Sequence, residues 1–330
     1  MKKTLLCLVG VLLLFLLPGC RKPPSTLRIA VDADRISPEV VRRFEQEWNC
    51  RVDIVTGGQG ADLFFVGTEE VARLQRKRKL HGIWRDDTRN LSHVDPEFLR
   101  SSPDRKMRHS VPYLIEVTGI TYDREGVENI EASWRMFDRG DLAGRMTMLG
   151  DMREVIGAAL KSIGFSANTR DDRELAAARG VLMGWKKNLA GLARVPGGFP
   201  RKDGVVLAQA RGGDVLKSQV SEAGIAFLLP AEGCLVSCEY MVMSRKTENV
   251  PLAHAFINFL HDPEVAAQNS EFTSCRCPNV PSYRLLSREL RNSPALFLPP
   301  EIKARSELIM DLGEDNEKYR SIWAEFDPSA

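Results

Sequence analysis

Acidic side chains gather at one kind of place in this 330-residue sequence, just after runs that read as β-strands. Asp32 and Asp34 follow "TLRIAV", Glu69 and Glu70 follow "ADLFFV", Asp151 follows "RMTML", and Glu239 lies within "CLVSCEYMVMS". Arg35 and Arg211 share such positions, and Asp214 stands three residues after Arg211. Clustered carboxylates form strong, charge-assisted hydrogen bonds with ammonium groups. Asp151 and Glu154, in "DMREV", are spaced i, i+3, which places both on one helical face at the positive end of the helix dipole. Each acid also has a plainer reading as a helix cap or a solvated loop residue.

Thiols are the second group able to do chemistry. Cys234 and Cys238 form a C-x₃-C pair, and Cys275 and Cys277 a C-x-C pair. Disulfides, a Cys₄ metal site at the loose edge of zinc spacing and buried free thiols are all consistent with these spacings. The five histidines sit in neither an H-E-x-x-H nor any nucleophile motif, and there is no G-x-S-x-G. The sequence therefore reads as a non-enzyme with no cofactor and no metal.

The elements that must position the acids alternate. "TLRIAV", "RVDIV", "ADLFFV", "SVPYLIEVTGITYD", "RMTML", "VVLAQA", "IAFLLP" and "CLVSCEYMVMS" read as strands. Between them lie helices: "SPEVVRRFEQEW" with Ser37 as N-cap and Pro38 in its first turn, a helix after Asp151 ended by Gly164, "DDRELAAARGVLMGWKKNLAG", and two helices in "VPLAHAFINFLHDPEVAAQNSEF" broken at Asp262-Pro263. The C-terminal stretch from about Pro299 to Phe326 reads as mostly helical. Such alternation predicts an α/β fold, in which ligands gather at the carboxyl ends of strands and at helix N-termini.

Residues 1–20 differ from the rest. Lys2 and Lys3 precede an uncharged apolar run that ends in Leu17-Pro18-Gly19-Cys20. This reads as a lipoprotein signal peptide with Cys20 as the lipidated residue, followed by a tether at 21–26. Without Lys2 and Lys3 the basic residues number 44, equal to the 44 acidic ones. A neutral chain gives no support for nucleic-acid binding. The basic run "RLQRKRKL" (73–80) reads as the solvated face of an amphipathic helix.

The segments "SVPYLIEVTGITYD", "DMREVIGAALKSIGFSANT", "AHAFINFLHDPEVAAQNSEF" and "PPEIKARSELIMDLGEDNEKYRSIWAEF" resemble, in one colinear order, the bacterial spermidine/putrescine-binding proteins. These are lipid-anchored or soluble periplasmic components of polyamine ABC importers. The resemblance implies a two-lobed periplasmic binding protein fold with crossover hinge strands and a ligand cleft between the lobes. Residues 27–118 with 239–280 would form one lobe, and 119–238 with 281–330 the other. It also implies a polyamine ligand, an ABC permease as partner, a monomer, and a periplasmic location with a lipid anchor in the membrane.

Carried over by position, the resemblance assigns ligand binding to Asp34, Glu69, Asp151, Glu154 and Glu239, with Asp32, Arg35, Arg211 and Cys275 as further candidates. The family's aromatic walls are not carried over. Asp32-Ala33-Asp34-Arg35 replaces a Trp-Thr-Glu-Tyr segment, and Glu69, Arg211, Ser237 and Cys275 stand where the family has aromatic residues. Trp48, Trp84, Trp134, Trp185 and Trp323 lie elsewhere in the sequence, Trp134 reading as core. Two arginines in a dication site would need acidic partners. Polyamine capture by carboxylates, a ligand of both charge signs, and a sensor or surface lipoprotein that has lost uptake all remain open on these residues. The resemblance also places Cys234, Cys238, Cys275 and Cys277 on neighbouring segments beside the cleft, where cross-paired disulfides are expected.

Overall fold

The computed structural model describes residues 25–100, 102–193, 204–221 and 224–327. The signal peptide, Cys20 and most of the tether lie outside these residues. Among the described residues, ten strands form one curled sheet: β1 Thr26–Ala30, β2 Arg51–Ile54, β3 Leu63–Gly67, β4 Ser110–Asp123, β5 Met146–Leu149, β6 Leu189–Ala193, β7 Leu207–Arg211, β8 Ile225–Leu228, β9 Leu235–Met243 and β10 Glu307–Leu308. The order is β2-β1-β3-β9-β4-β7-β5-β6, with β10 on β9 and β8 on β4.

Two strands run through both halves of the molecule. β4 is a single 14-residue strand whose first twelve residues are buried. It pairs antiparallel with β9 from Ser110↔Val242 to Thr118↔Leu235, then with β7 and β8 beyond it. β9 in turn pairs with β3 from Leu63↔Met243 to Gly67↔Glu239. On one side of this crossing lies a core of Leu27, Ile29, Phe44, Leu63, Tyr113, Met241 and Phe256. On the other lies a separate core of Trp134, Met146, Ile156, Leu160, Leu182, Trp185 and Tyr319. Trp134 is fully buried, and its Nε1 donates to the Gly233 carbonyl at 2.9 Å.

The helices form where the sequence signals them. Ser37 accepts from the Glu39 amide at the start of Pro38–Trp48, and Asp262 caps Pro263–Thr273. Asp151 caps Met152–Ser162, and Gly164 follows with φ +83°. Every residue of that helix from Arg153 to Lys161 is buried, whereas Ile163 just beyond its end is exposed. The sheet covers one side of it, and Asp172–Lys186 and Asn316–Phe326 pack on it as well. Two segments differ from the reading. "NLAG" ends the helical segment as strand β6, because it finds a parallel partner in β5. The C-terminal stretch is only partly helical, since Glu307–Leu308 adds to β9 as β10.

Gly233 makes that addition feasible. It adopts φ +102°, and a Cβ there would lie 2.2 Å from the Arg305 carbonyl oxygen. The close approach lets the Cys234 amide donate to Ser306 Oγ at 2.8 Å and the Glu307 amide to the Cys234 carbonyl at 3.1 Å. Gly233→Ala is expected to cost about 1–3 kcal/mol through strain and overpacking. Urea unfolding would measure it, and wild-type stability would mean that the contact yields freely.

Candidate functional site

The carboxyl ends of β1, β3, β5 and β7 and the middles of β4 and β9 meet at a cleft of about 680 Å³. Asp32, Asp34, Arg35, Glu69, Asp151, Glu154, Arg211 and Glu239 all line it, although the sequence scatters them over more than 200 residues. Glu116, Asp214, Glu70 and Arg73 line it as well.

Sequence reasoning missed Glu116, which organises the centre. It points into the cleft from β4, buried among apolar neighbours on its own strand. Its Oε1 accepts from Arg35 Nη1 at 3.0 Å, and its Oε2 lies 3.8 Å from Arg211 Nε. Arg35 also reaches Glu239 at 3.4 Å, and Arg211 reaches Asp151 at 3.4 Å. Burial raises the pKa of Glu116, but Arg35 and Arg211 outweigh it and hold the carboxyl below its ordinary value. Burial opposes the charge on Arg35, yet Cys275, Glu116 and Glu239 around it raise its pKa. Both arginines do enter the cleft, and both are paired there with acids.

Packing fixes where Arg35 sits. It ends a short turn after β1, and its carbonyl accepts from the buried Tyr113 hydroxyl at 2.8 Å. Asn269, on helix Pro263–Thr273, donates to that hydroxyl at 2.9 Å and accepts from the Ser37 amide at 2.9 Å.

Asp151 and Glu154 share one helical face but have different environments. Asp151 is half-exposed; its Oδ1 caps the helix through the Arg153 and Glu154 amides at 3.0 and 3.2 Å, and its Oδ2 faces Arg211. Glu154 is 1% exposed, and neither carboxylate oxygen has a hydrogen-bond partner among the described residues. Burial, then the charge of Asp151, pushes its pKa up to about 7, against the smaller lowering effects of Arg211 and of the nearby Thr118 hydroxyl, which is too poorly aligned to satisfy either oxygen. Burial also raises the carboxyls of Glu239 and Asp214. An unpaired buried carboxylate costs free energy that a cationic donor would recover.

At the rim, ion pairs span the two halves. Arg320 meets Glu69 at 2.6 Å, Arg76 meets Asp311 at 2.7 Å and Lys217 meets Asp34 at 3.8 Å. Trp323 also lines the cleft, contrary to its placement away from the site. The final helix, Asn316–Phe326, lies along the rim and carries Arg320 on the same segment, a placement that only tertiary folding determines.

The expected disulfides do not form. Cys50, Cys234, Cys238, Cys275 and Cys277 are all free and buried. Strand spacing explains it. Cys238 pairs across β9–β4 with Ile115, and Arg276 bridges to Ile115 from the other side of β4. That puts Cys238 and the Cys275–Cys277 segment two strand spacings apart, about 10 Å, beyond disulfide reach. Cys234 and Cys238 are four residues apart along extended chain, roughly 13 Å. Cys275 does not line the cleft but supports it: its Sγ lies 3.4 Å from Arg35 Nη1 and 3.5 Å from Glu116 Oε1. Burial pushes both the Cys275 and the Cys277 thiols up, that of Cys277 to about 11.

Residues 61–293 match the family described as bacterial extracellular solute-binding protein. The chain belongs to that family. Similar proteins include the putrescine/cadaverine-binding protein of Pseudomonas aeruginosa, 25% identical, with 88% of this chain and 90% of that protein covered. The spermidine/putrescine-binding periplasmic protein of Escherichia coli is 26% identical, covering 85% and 81%. A solved structure, titled as a putative spermidine/putrescine ABC transporter from Listeria monocytogenes, superposes with a TM-score of 0.82 at 24% identity over 92% of this chain and 98% of that one. The fold is thus the two-lobed α/β fold of periplasmic solute-binding proteins, and the family to which the chain belongs is one of solute-binding proteins.

Proposed function

We propose that this chain is the solute-capturing component of an ABC importer for polyamines of the putrescine/spermidine class, held in the periplasm by a lipid anchor on Cys20. The observation that carries the reading is Glu154, a buried carboxylate with no ion-pair partner and no well-formed hydrogen bond among the described residues, in a cleft lined by further acids. An ammonium group supplies the missing donors. Asp151, Asp34, Glu69 and Glu239 would contribute to the same cationic ligand, and Trp323 offers an aromatic surface for its methylene stem. The names of the similar proteins agree with that ligand class. The partners would be an inner-membrane permease and the polyamine; nucleic acid is not among them, and the chain would act as a monomer.

The two lobes would close on the ligand by rotation at β4 and β9. We place residues 27–118 with 239–298 in one lobe and 119–238 with 299–327 in the other. The boundary moves from 280 to 298 because Tyr283 donates to Asp95 at 2.9 Å and the Ser287 amide donates to Glu271 at 2.6 Å.

A second reading rests on Arg35 and Arg211. Their guanidiniums already engage Glu116, Glu239 and Asp151, so part of the acid lining is neutralised from within. This favours a ligand with fewer ammonium groups, or one that also carries a carboxylate.

Titration calorimetry of the mature domain against putrescine, spermidine, spermine and amino acids separates the readings. Absence of binding by every polyamine at millimolar concentration would end the first. If polyamine binds, Asp151→Asn is expected to weaken it by about 1.5–3 kcal/mol, the scale of a charged hydrogen bond. Asparagine caps a helix as well as aspartate does, so folding should hold. Unchanged affinity would leave Asp151 as a cap alone.

A further inference from the structure

A second cavity, of about 300 Å³, lies on the opposite face of the crossover strands. Successive strand residues point to opposite faces. Glu116 and Ser237 face the cleft, whereas their neighbours Val117 and Val236 line this second cavity. Phe98 reaches it from the first lobe and Leu308 from β10.

Its most unusual wall is Arg276. Two backbone hydrogen bonds with Ile115, at 2.9 and 3.3 Å, tie the residue to β4. The guanidinium lies 4.6 Å from the Phe98 ring centroid, 5.0 Å from Phe297 and 5.8 Å from Tyr283. Nε is buried without a hydrogen-bond partner, and no described carboxylate forms an ion pair with the group. Arg100 and Lys303 also line the cavity; the acid among its walls, Glu97, is already engaged by Lys303 at 2.7 Å. The cavity thus has a surplus of positive charge at one part of its wall and hydrocarbon at the rest. Aromatic faces stabilise the arginine but satisfy none of its in-plane donors.

We propose that this cavity binds a small monocarboxylate with a short apolar body, its acid group on Arg276 and its hydrocarbon against Val117, Val236 and Leu308, and that occupancy biases the angle between the lobes. A carboxylate matches the planar guanidinium fork, and about 300 Å³ is at the small end of ligand pockets. The walls come from both lobes and from both crossover strands, so the cavity changes shape when the lobes rotate. A ligand that prefers one shape shifts that equilibrium.

Hexanoate, inorganic phosphate and hexylamine serve as probes on the mature protein. Hexanoate is expected to saturate with a Kd on the order of 1 mM, to show nuclear Overhauser contacts to the Val117, Val236 and Leu308 methyls, and to change the radius of gyration measured by small-angle scattering. Phosphate lacks the apolar body and hexylamine has the wrong charge, so neither should saturate. Arg276→Gln should weaken hexanoate at least tenfold with the circular dichroism spectrum retained. The methyl contacts test the site in unaltered protein should that variant fail to fold. Absence of saturation, contacts at other methyls, equal binding of phosphate or an unchanged affinity in Arg276→Gln overturns the site. Binding without any change in radius overturns the coupling to the hinge.

Discussion

Replacing Glu116 by glutamine is expected to destabilise the ligand-free protein by about 3 kcal/mol, the lower end of the cost of breaking a buried ion pair. Glu116 is the acid shared by Arg35 and Arg211, and its side chain is only 8% exposed. Glutamine keeps the shape and removes the charge. The cost stays near the lower end because Arg35 keeps Glu239 and Arg211 keeps Asp151. The pH dependence follows from the lowered pKa of Glu116 in the folded protein. Its stabilisation is present above the unfolded value, near 4.5, and is lost as pH falls through the folded value. Wild type and Glu116→Gln should therefore differ fully at pH 6 and converge in acid. Adding Arg35→Met to Glu116→Gln should recover part of the loss, since it removes one of the two cations that lost Glu116 as a partner. Urea unfolding of the four variants in the cycle decides it; no destabilisation in Glu116→Gln would mean that water already solvates both arginines.

Glu154→Gln should do the opposite. With a folded pKa of about 7 against 4.5 unfolded, the folded chain binds the extra proton. This stabilisation is complete below pH 4.5 and is lost as pH rises through about 7. Charging Glu154 then costs about 3 kcal/mol at pH 8 and under about 1 kcal/mol at pH 5. Since the residue is 1% exposed, solvent screening relieves little of this. Glutamine escapes the penalty, so the variant should be more stable than wild type by about 3 kcal/mol at pH 8. Its advantage keeps growing between pH 5 and pH 8, the range over which the Glu116→Gln cost is constant. Under the polyamine reading, the same change should weaken ligand binding. A gain in stability together with a loss of affinity is the signature of a site held under strain for its ligand. Equal stability at pH 8 would place a counter-charge or water on Glu154.

The acids that proved legible in the sequence are those at strand ends, because chain direction alone brings the carboxyl ends of parallel strands to one edge. Asp32, Asp34 and Asp151 follow from that rule, as does the position of Arg211 beside them. Glu116 does not. It lies mid-strand, where a single carboxylate in an apolar run gives no indication of which face it points to or what awaits it there. Its meaning appears only when Arg35 and Arg211, 176 positions apart in sequence, arrive on either side. Trp323 was illegible for a related reason, since its helix reaches the cleft only by packing on the second core. The thiols misled through proximity: neighbouring segments suggested cross-links, and the strand between them forbids that pairing. Most of the strand reading held, and β4 was read at its full extent from Ser110 to Asp123.

The rim pairs Arg320–Glu69, Arg76–Asp311 and Lys217–Asp34 span the lobes near solvent. Exposed pairs of this kind are individually weak and are screened over a Debye length of about 8 Å at physiological ionic strength. The resting posture of the empty molecule is therefore a function of the surrounding electrolyte. Rising salt is expected to loosen the hold of these pairs between the two halves.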